Sequence, residues 1–182
     1  MKILISLLVL PTLLLLVSPL RAEEKPRVSP HEKVTATIDG NDMIIVYGRP
    51  YTKDPKSGEP RKIWGALVPY DKVWRMGADE ATLLTTDKAI EMGGKSIPPG
   101  TYSLFLLPEE KGATKLIVNK QTGQWGTKYD AGQDLARVDL KKETPEKKAN
   151  QFTIGIESAD TGGVLKVMWE DAEYSAPFTV KK

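Results

Sequence analysis

Residues 73–82, which read VWRMGADEAT, bring together side chains that could do chemistry. The stretch contains an aromatic ring and a guanidinium, Trp74 and Arg75, followed by two adjacent carboxylates, Asp79 and Glu80. A Gly-Ala pair between the arginine and the acids provides a place for the chain to bend. Carboxylates can transfer protons, and arginine can bind anions through its planar set of donors. This stretch is therefore the first candidate for a functional site.

Arg75 and Glu80 lie on either side of the Gly-Ala pair, so a reversal of the chain there would bring them within reach of each other. The favoured interpretation is an internal ion pair, in which the guanidinium holds the carboxylate and fixes the loop. The alternative is a recognition surface, in which Arg75 is available for an anionic ligand.

The acids also allow a carboxylate-dependent hydrolase of glycans, with Glu80 as the candidate catalytic residue. Glycoside hydrolysis needs two carboxyl groups about 5–10 Å apart across the sugar. Asp79 and Glu80 would point to opposite faces of an extended strand, so they are not expected to form that pair. A distant acid, such as Asp71, Asp130 or Asp134, would have to supply the second group.

Two residue types that carry much enzyme chemistry are scarce or absent. The chain has no cysteine, which excludes a lipid-anchored lipoprotein, disulfides, thiol catalysis and cysteine metal sites. His31 is the only histidine, and it falls in the predicted leader, where an ordinary exposed residue is expected. The predicted domain therefore has no histidine for a Ser-His-Asp triad or a histidine-rich zinc site. No metal and no cofactor is predicted.

The chain has four tryptophans, and their positions indicate different roles. Trp169 ends an alternating segment and is expected in the core. Trp64 and Trp125 lie in glycine-containing irregular segments, where tryptophan most often plugs a loop and can otherwise stack on a sugar ring. The predicted ligand-binding face combines aromatic and charged residues, namely Arg49, Arg61, Trp64, Trp74, Arg75, Asp79, Glu80 and Trp125.

Short strands separated by turns are the elements that would position these residues. Alternating or β-branched runs are bounded by Gly, Pro, Asn and Asp, and no sustained helical period follows the first 22 residues. About ten strands are expected, at residues 34–38, 43–47, 82–86, 89–92, 103–107, 114–118, 135–140, 151–157, 164–169 and 174–180. A Gly-Asn turn should join the first two, and the charged run 141–150 should be a solvated connection. The predicted fold is all-β, a single antiparallel β-sandwich or flattened barrel after an N-terminal signal helix.

The first 22 residues have the pattern of a secretory signal peptide, with a positive start, an apolar run and a small residue before a charged segment. Cleavage is predicted after Ala22. An uncleaved membrane anchor is the alternative, because the apolar run approaches the roughly 20 residues of a spanning helix. Residues 23–33 are interpreted as a flexible leader and residues 34–182 as the β-sandwich domain. The protein is thus expected to be periplasmic or secreted.

The charge balance argues against two classes of partner. The whole chain has a formal net charge of +2, and residues 1–22 contain Lys2 and Arg21 but no acid. The mature chain therefore has 24 basic and 24 acidic residues. This balance offers no electrostatic reason to expect nucleic acid or an anionic membrane as a partner.

Five motifs follow one another along the chain, namely Gly48-Arg49-Pro50, residues 61–65 (RKIWG), residues 73–82, residues 97–105 (IPPGTYSLF) and Gln124-Trp125-Gly126. This ordered set resembles one bacterial exported family, the domain of unknown function 2911. The resemblance covers nearly the whole mature chain and implies export and a single domain, but no activity. Residues 54–60 look like an insertion, and Asp79 stands where the family usually has Asn, which removes two donors and adds charge.

The leading hypothesis is an exported β-sandwich protein that binds a ligand or acts as a scaffold without catalysis, with carbohydrate as a candidate ligand. One alternative is the glycan hydrolase that depends on Glu80. The other is a module that binds an envelope protein through an exposed strand edge. Membrane contact is expected only through the signal segment before its cleavage.

Overall fold

The structure is a computed structural model that describes residues 27–182. The predicted signal helix, its cleavage point and residues 23–26 of the predicted leader lie outside the described residues. The described chain forms two antiparallel sheets packed as a sandwich, without closure into a barrel. Its twelve strands are β1 (His31–Ile38), β2 (Asn41–Gly48), β3 (Ala78–Thr86), β4 (Ile90–Met92), β5 (Lys95–Ile97), β6 (Gly100–Leu107), β7 (Lys115–Asn119), β8 (Asp134–Asp139), β9 (Lys141–Glu143), β10 (Ala149–Ser158), β11 (Gly163–Glu170) and β12 (Ala172–Val180).

The first sheet has the strand order β1-β2-β3-β6-β7-β8, and the second has the order β10-β11-β12-β4-β5, with β9 also paired to β12. Contacts between β1 and β10 and between β5 and β8 join the sheets at their edges. In β2 and β11 every second residue is buried, as expected when one face of a strand meets the opposite sheet. Residues 27–182 contain no helix long and apolar enough to cross a membrane.

The first hairpin shows how local sequence sets the register. Its two-residue turn is Asp39-Gly40, rather than the predicted Gly-Asn pair. Both turn residues have positive φ, 49° and 68°, as the tight turn that matches strand twist requires. Asn41 instead begins β2, where its buried amide donates to the hydroxyl of Thr86, 2.8 Å away.

The structure has more strands than the sequence predicts. β5 and β9 are three-residue strands that the predicted pattern lacks. All three residues of β9 are exposed Lys or Glu, which is why the sequence predicts a solvated connection there. Their backbone nevertheless pairs with β12. The predicted leader is also too long, because β1 begins at His31 and pairs with Gly48 there.

An aromatic group fills the core at one end of the sandwich. Trp169 is fully buried, as predicted, and its ring stacks on Trp74 with centroids 5.6 Å apart. Phe152 packs edge-on against both indoles. Trp74 belongs to no strand, but its backbone N–H donates to Leu106 of β6. The segment around Arg75 is therefore anchored to the core by the residue that precedes it.

Candidate functional site

A bulge in β3 positions most of the predicted site residues. Between the pairs Gly48–Ala78 and Val46–Leu83, four residues of β3 face a single residue of β2. Asp79, the first of the four, has a φ of 63°, in the left-handed region that is uncommon for a residue with a side chain. We call residues 79–82 the β3 bulge. The bulge turns the chain away from the regular alternation of a strand.

The backbone freed by the bulge pairs with the loop that carries Trp125. The Gly126 N–H donates to the Asp79 carbonyl, 2.9 Å away, and the Ala81 N–H donates to the Gln124 carbonyl, 3.1 Å away. Gly126 has no room for a side chain, because an added Cβ would lie 2.8 Å from the Arg75 side chain. The QWG motif is thus the loop that closes over the bulge.

The bulge brings the two carboxylates to the same place, which contradicts the prediction that they point to opposite faces. Their common neighbour is His31, whose Nε2 lies 3.2 Å from Asp79 Oδ2 and 3.5 Å from Glu80 Oε2. The strand rule fails because the left-handed residue Asp79 changes the direction of the chain. We call His31, Asp79 and Glu80 the His31 cluster. His31, predicted to be an ordinary leader residue, lies in β1 beside the acids.

The predicted Arg75–Glu80 ion pair is not formed within residues 27–182. Glu80 pairs instead with Arg27, whose Nη1 lies 2.5 Å from Glu80 Oε2. The hydrogen bond from Arg27 holds the pKa of Glu80 below its ordinary value. Arg75 donates from Nε to the Gly77 carbonyl, 3.1 Å away. The bend at Gly77, with a φ of 153°, separates the arginine from the acid instead of folding one onto the other.

Arg75 lines a cleft of about 400 Å³ near the core aromatic group. The side chains that characterise this arginine cleft are two guanidinium groups and four rings, from Arg61, Arg75, Trp74, Phe105, Tyr129 and Trp169. Within the part of the chain that the structure describes, no Asp or Glu lines it. The two guanidinium groups are therefore not neutralised within the lining itself, although Asp54, outside it, interacts electrostatically with Arg61.

Two buried donors in the lining have no hydrogen-bond acceptor among residues 27–182. They are the indole Nε1–H of Trp169, a residue with 0% exposure, and the Nε–H of Arg61. Arg61 also donates from Nη2 to the Tyr51 carbonyl, which fixes its guanidinium. Both atoms are almost completely covered by neighbouring protein atoms, so neither is exposed to a molecule in the open cleft.

Tyr129 provides the polar end of one wall. Its hydroxyl donates to Asp134 Oδ2 at 2.7 Å and accepts from Arg137 at 3.0 Å. Burial, followed by the hydrogen bond to Asp134, raises the pKa of Tyr129 to about 12. The hydroxyl is therefore neutral at physiological pH and serves as a fixed polar group.

The predicted face divides into parts with different roles. Arg61, Trp74 and Arg75 line the arginine cleft, and Asp79 and Glu80 belong to the His31 cluster. The remaining three, Arg49, Trp64 and Trp125, line neither.

Arg49 links the sheets, since it pairs with Glu32 at 2.7 Å and donates to Thr153 at 2.8 Å. Trp64 plugs its loop, as favoured by the sequence, because its ring packs on Tyr174 and its N–H donates to the Trp169 carbonyl. Trp125 is 47% exposed and lies next to the bulge, where its backbone pairs with Glu80.

Sequence reasoning missed several residues of both regions. Phe105 and Trp169 have the pattern of ordinary core residues, so nothing in the sequence distinguishes them as cleft residues. Arg27 and His31 lie about 50 positions before the acids that they meet. Tyr129 follows the QWG motif closely, and this proximity is the one signal that could have associated it with the site.

Comparison with known proteins identifies a family but no activity. No curated protein and no solved structure matches the chain. A family model described as a protein of unknown function, DUF2911, matches residues 29–178, which include every strand from β1 to β11 and most of β12. The chain therefore belongs to the DUF2911 family.

Proposed function

We propose that the protein is an exported, non-catalytic binding module whose arginine cleft takes a small anionic ligand. The observation that carries this proposal is the pair of guanidinium groups, on Arg61 and Arg75, in a lining whose described residues include no Asp or Glu. A ligand that presents a negatively charged acceptor to a guanidinium forms a charge-assisted hydrogen bond, which is stronger than one between neutral groups.

The charge of the cleft favours a negative group on the ligand. Arg61 and Arg75 both contribute a guanidinium, and the described lining has no carboxylate to neutralise them. Attraction between opposite charges is stronger in a half-buried site than on an open surface, because the effective dielectric constant is lower. Arginine also matches the geometry of a carboxylate with two parallel hydrogen bonds.

The rest of the lining suits the ring of a small molecule. Leu67, Val73 and Tyr129 provide partly exposed apolar surface beside the guanidinium groups, whereas Trp74 and Phe105 are buried. A volume of about 400 Å³ falls in the range of small-molecule sites. A sugar that carries a carboxylate, such as a uronic acid, combines an apolar ring face with an anionic group. Acidic carbohydrate is therefore the ligand class that we propose.

The positions of the acids favour binding over hydrolysis. Asp79 and Glu80 do not line the cleft. The hydrogen bond from Arg27 lowers the pKa of Glu80, so this carboxyl is ionised at neutral pH and unsuited to act as the general acid that a glycosidase needs. Asp134 is held by Tyr129 and Arg137, and Asp130 accepts from the Gly132 N–H.

Export rests on the signal-peptide pattern of residues 1–22. N-terminal sequencing of the protein from fractionated cells should find a mature chain that begins at Glu23 in the extracytoplasmic fraction. Recovery of the uncleaved chain from the cytoplasm would contradict this part of the proposal.

Titration with acidic and neutral sugars tests the binding proposal. Calorimetry and tryptophan fluorescence should detect glucuronic or galacturonic acid, or their short oligomers, while glucose and galactose should bind far more weakly. Arg75→Met should weaken binding by about 10- to 150-fold, since a hydrogen bond to a charged group contributes about 1.5–3 kcal/mol. Arg61→Met should have an effect of the same order.

Lys95→Met is the charge-matched control, because Lys95 is exposed on β5, outside the cleft. It should bind the acidic sugar as the unmodified protein does. No binding of any acidic sugar at millimolar concentration, or equal binding by Arg75→Met and Lys95→Met, would refute the proposed site. Release of reducing ends that stops in Glu80→Gln would instead establish the hydrolase.

A further inference from the structure

We propose that the His31 cluster is a site for a divalent transition-metal ion, with Zn²⁺ as the best match. His31, Asp79 and Glu80 each offer one ligand atom, and these three atoms lie within 4.8 Å of one another. None of the three side chains lines the arginine cleft, so this proposal does not rest on the proposed ligand-binding function.

The spacing of the ligand atoms agrees with tetrahedral coordination. Bonds of about 2.0–2.1 Å from Zn²⁺ to imidazole nitrogen and carboxylate oxygen imply ligand–ligand separations of about 3.3 Å in a tetrahedron. The observed separations from His31 Nε2 are 3.2 Å to Asp79 and 3.5 Å to Glu80. The third separation, between the two carboxylate oxygens, is within 4.8 Å, so rotation of the acid side chains would complete the set around one ion, with a fourth position for water.

The backbone explains how these three residues meet. Gly48 of β2 pairs with His31 of β1 on one side and with Ala78 of β3 on the other. Because Gly48 has no side chain, nothing projects between the two outer strands at this point. The left-handed conformation of Asp79 then directs both acids toward the imidazole.

Arg27 shows that a positive charge is stable at the centre of the cluster. Its Nη1 lies 2.5 Å from Glu80 Oε2, 3.0 Å from His31 Nε2 and 4.0 Å from Asp79 Oδ2. Arg27 is exposed and precedes β1, whereas the three ligands belong to the paired strands β1 and β3, and we expect the ion to displace the guanidinium. Arg27 and the metal ion thus compete for one position.

The ligand set selects the class of metal. One imidazole and two carboxylates suit Zn²⁺, whereas Mg²⁺ and Ca²⁺ prefer six or more oxygen ligands. The chain has no cysteine, so it offers no thiolate that would compete for the metal. His31 is also the only histidine, which makes any Zn²⁺ bound through nitrogen assignable to this site.

Titration of untagged protein with Zn²⁺ alone tests the proposal, with the single imidazole followed by ¹⁵N NMR. The signals of His31 should shift on stoichiometric binding, and the thermal unfolding temperature should rise because the folded state holds the ion. Glu80→Gln and Asp79→Asn should each weaken Zn²⁺ binding by at least about tenfold. Replacing a residue that only hydrogen-bonds to a metal ligand already lowers metal affinity by about 10- to 100-fold, and these two residues are ligands themselves. Arg27→Met should bind more tightly than the unmodified protein.

Asparagine tolerates a positive φ, so Asp79→Asn removes the carboxylate ligand without disturbing the backbone of the bulge. A loss of Zn²⁺ affinity in this variant is therefore due to the ligand and not to the bulge. Glu91→Gln, an exposed acid of β4, is the control and should not change Zn²⁺ affinity. Unshifted imidazole signals at millimolar Zn²⁺ would overturn the proposal. The same holds if Zn²⁺ affinity is unchanged in Glu80→Gln or lower in Arg27→Met.

Discussion

The arginine cleft and the His31 cluster both adjoin the β3 bulge, and their charges are arranged in opposite ways. In the cleft, two guanidinium groups lie in a lining that, in the described chain, has no carboxylate. In the cluster, two carboxylates already hold a guanidinium. Arg75 and Glu80 are five positions apart, yet they belong to different regions because the backbone turns at Gly77 and Asp79. Backbone direction, rather than nearness in sequence, decides which charges are paired.

The side chains of the two regions also differ in burial, and this difference leads to the largest predicted change in stability. Trp169 forms part of the cleft lining and is fully buried against Trp74 and Phe152. Trp169→Ala should lower the free energy of unfolding by about 3–5 kcal/mol, the range for removal of a large core aromatic side chain. His31→Ala in the exposed cluster should cost at most about 1 kcal/mol, as for surface ion pairs. Urea unfolding of both variants measures the difference, and similar losses would contradict it.

A change at the bulge should disturb both regions together. Asp79→Val places a β-branched side chain at a φ of 63°, which such residues adopt rarely. The expected cost is about 1–3 kcal/mol of stability, with weaker binding of both acidic sugar and Zn²⁺, because the Asp79 carbonyl also holds Gly126 of the cleft. Chemical unfolding and the two titrations measure these effects.

Asp79→Asn is the matched control, since asparagine tolerates the left-handed conformation. It should lose Zn²⁺ affinity but retain sugar binding. If both variants affect the two regions equally, the bulge is not what connects them.

The fold could be predicted largely from the sequence because its signals are local. Alternation of buried and exposed positions and glycine turns identify ten strands and the β-sandwich class. β9 escapes detection because its backbone pairs with β12 while its Lys and Glu side chains are exposed. The hydrogen bonds of such a strand leave no trace in hydropathy.

The site could be predicted only in part because its contacts are long-range. Residues 61, 74 and 75 are identifiable from their type, and the structure brings them to one cleft. The pairing of Glu80 depends on Arg27 and His31, at positions 53 and 49 earlier, and on the φ of Asp79. Nothing in the local sequence predicts a left-handed aspartate within a strand. The regular alternation of side chains along a strand therefore predicts, wrongly, that the two acids point to opposite faces.

The pairing of Glu80 should be visible as a small pH-dependent stability. Arg27 lowers the pKa of Glu80 below its ordinary value of 4.5, so the folded state favours the ionised carboxylate. The resulting stabilisation is fully present above pH 4.5 and is lost as the pH falls through the lowered pKa of the folded state. Because Glu80 is substantially exposed, the effect should be at most about 1 kcal/mol.

Thermal unfolding of Glu80→Gln and the unmodified protein, compared between pH 3 and pH 7, measures this contribution. The variant should be less stable at pH 7, and the difference should shrink on acidification. Arg27→Met should remove the same dependence, whereas Glu91→Gln should retain it. A stability difference that grows toward low pH would contradict the lowered pKa of Glu80.

The smallest predicted effect is coupling between the two proposed sites. Ser29 lines the cleft and lies two residues from both Arg27 and His31. Displacement of Arg27 by Zn²⁺ should therefore shift one wall of the cleft and change its affinity for acidic sugar by no more than about fivefold. Thermodynamic linkage requires the sugar to change Zn²⁺ affinity by the same factor, which calorimetry can check in both directions. A titration of the sugar with Zn²⁺ in the absence of protein corrects for their direct association. If Zn²⁺ changes the sugar affinity of Glu80→Gln as much as that of the unmodified protein, the effect does not depend on the His31 cluster.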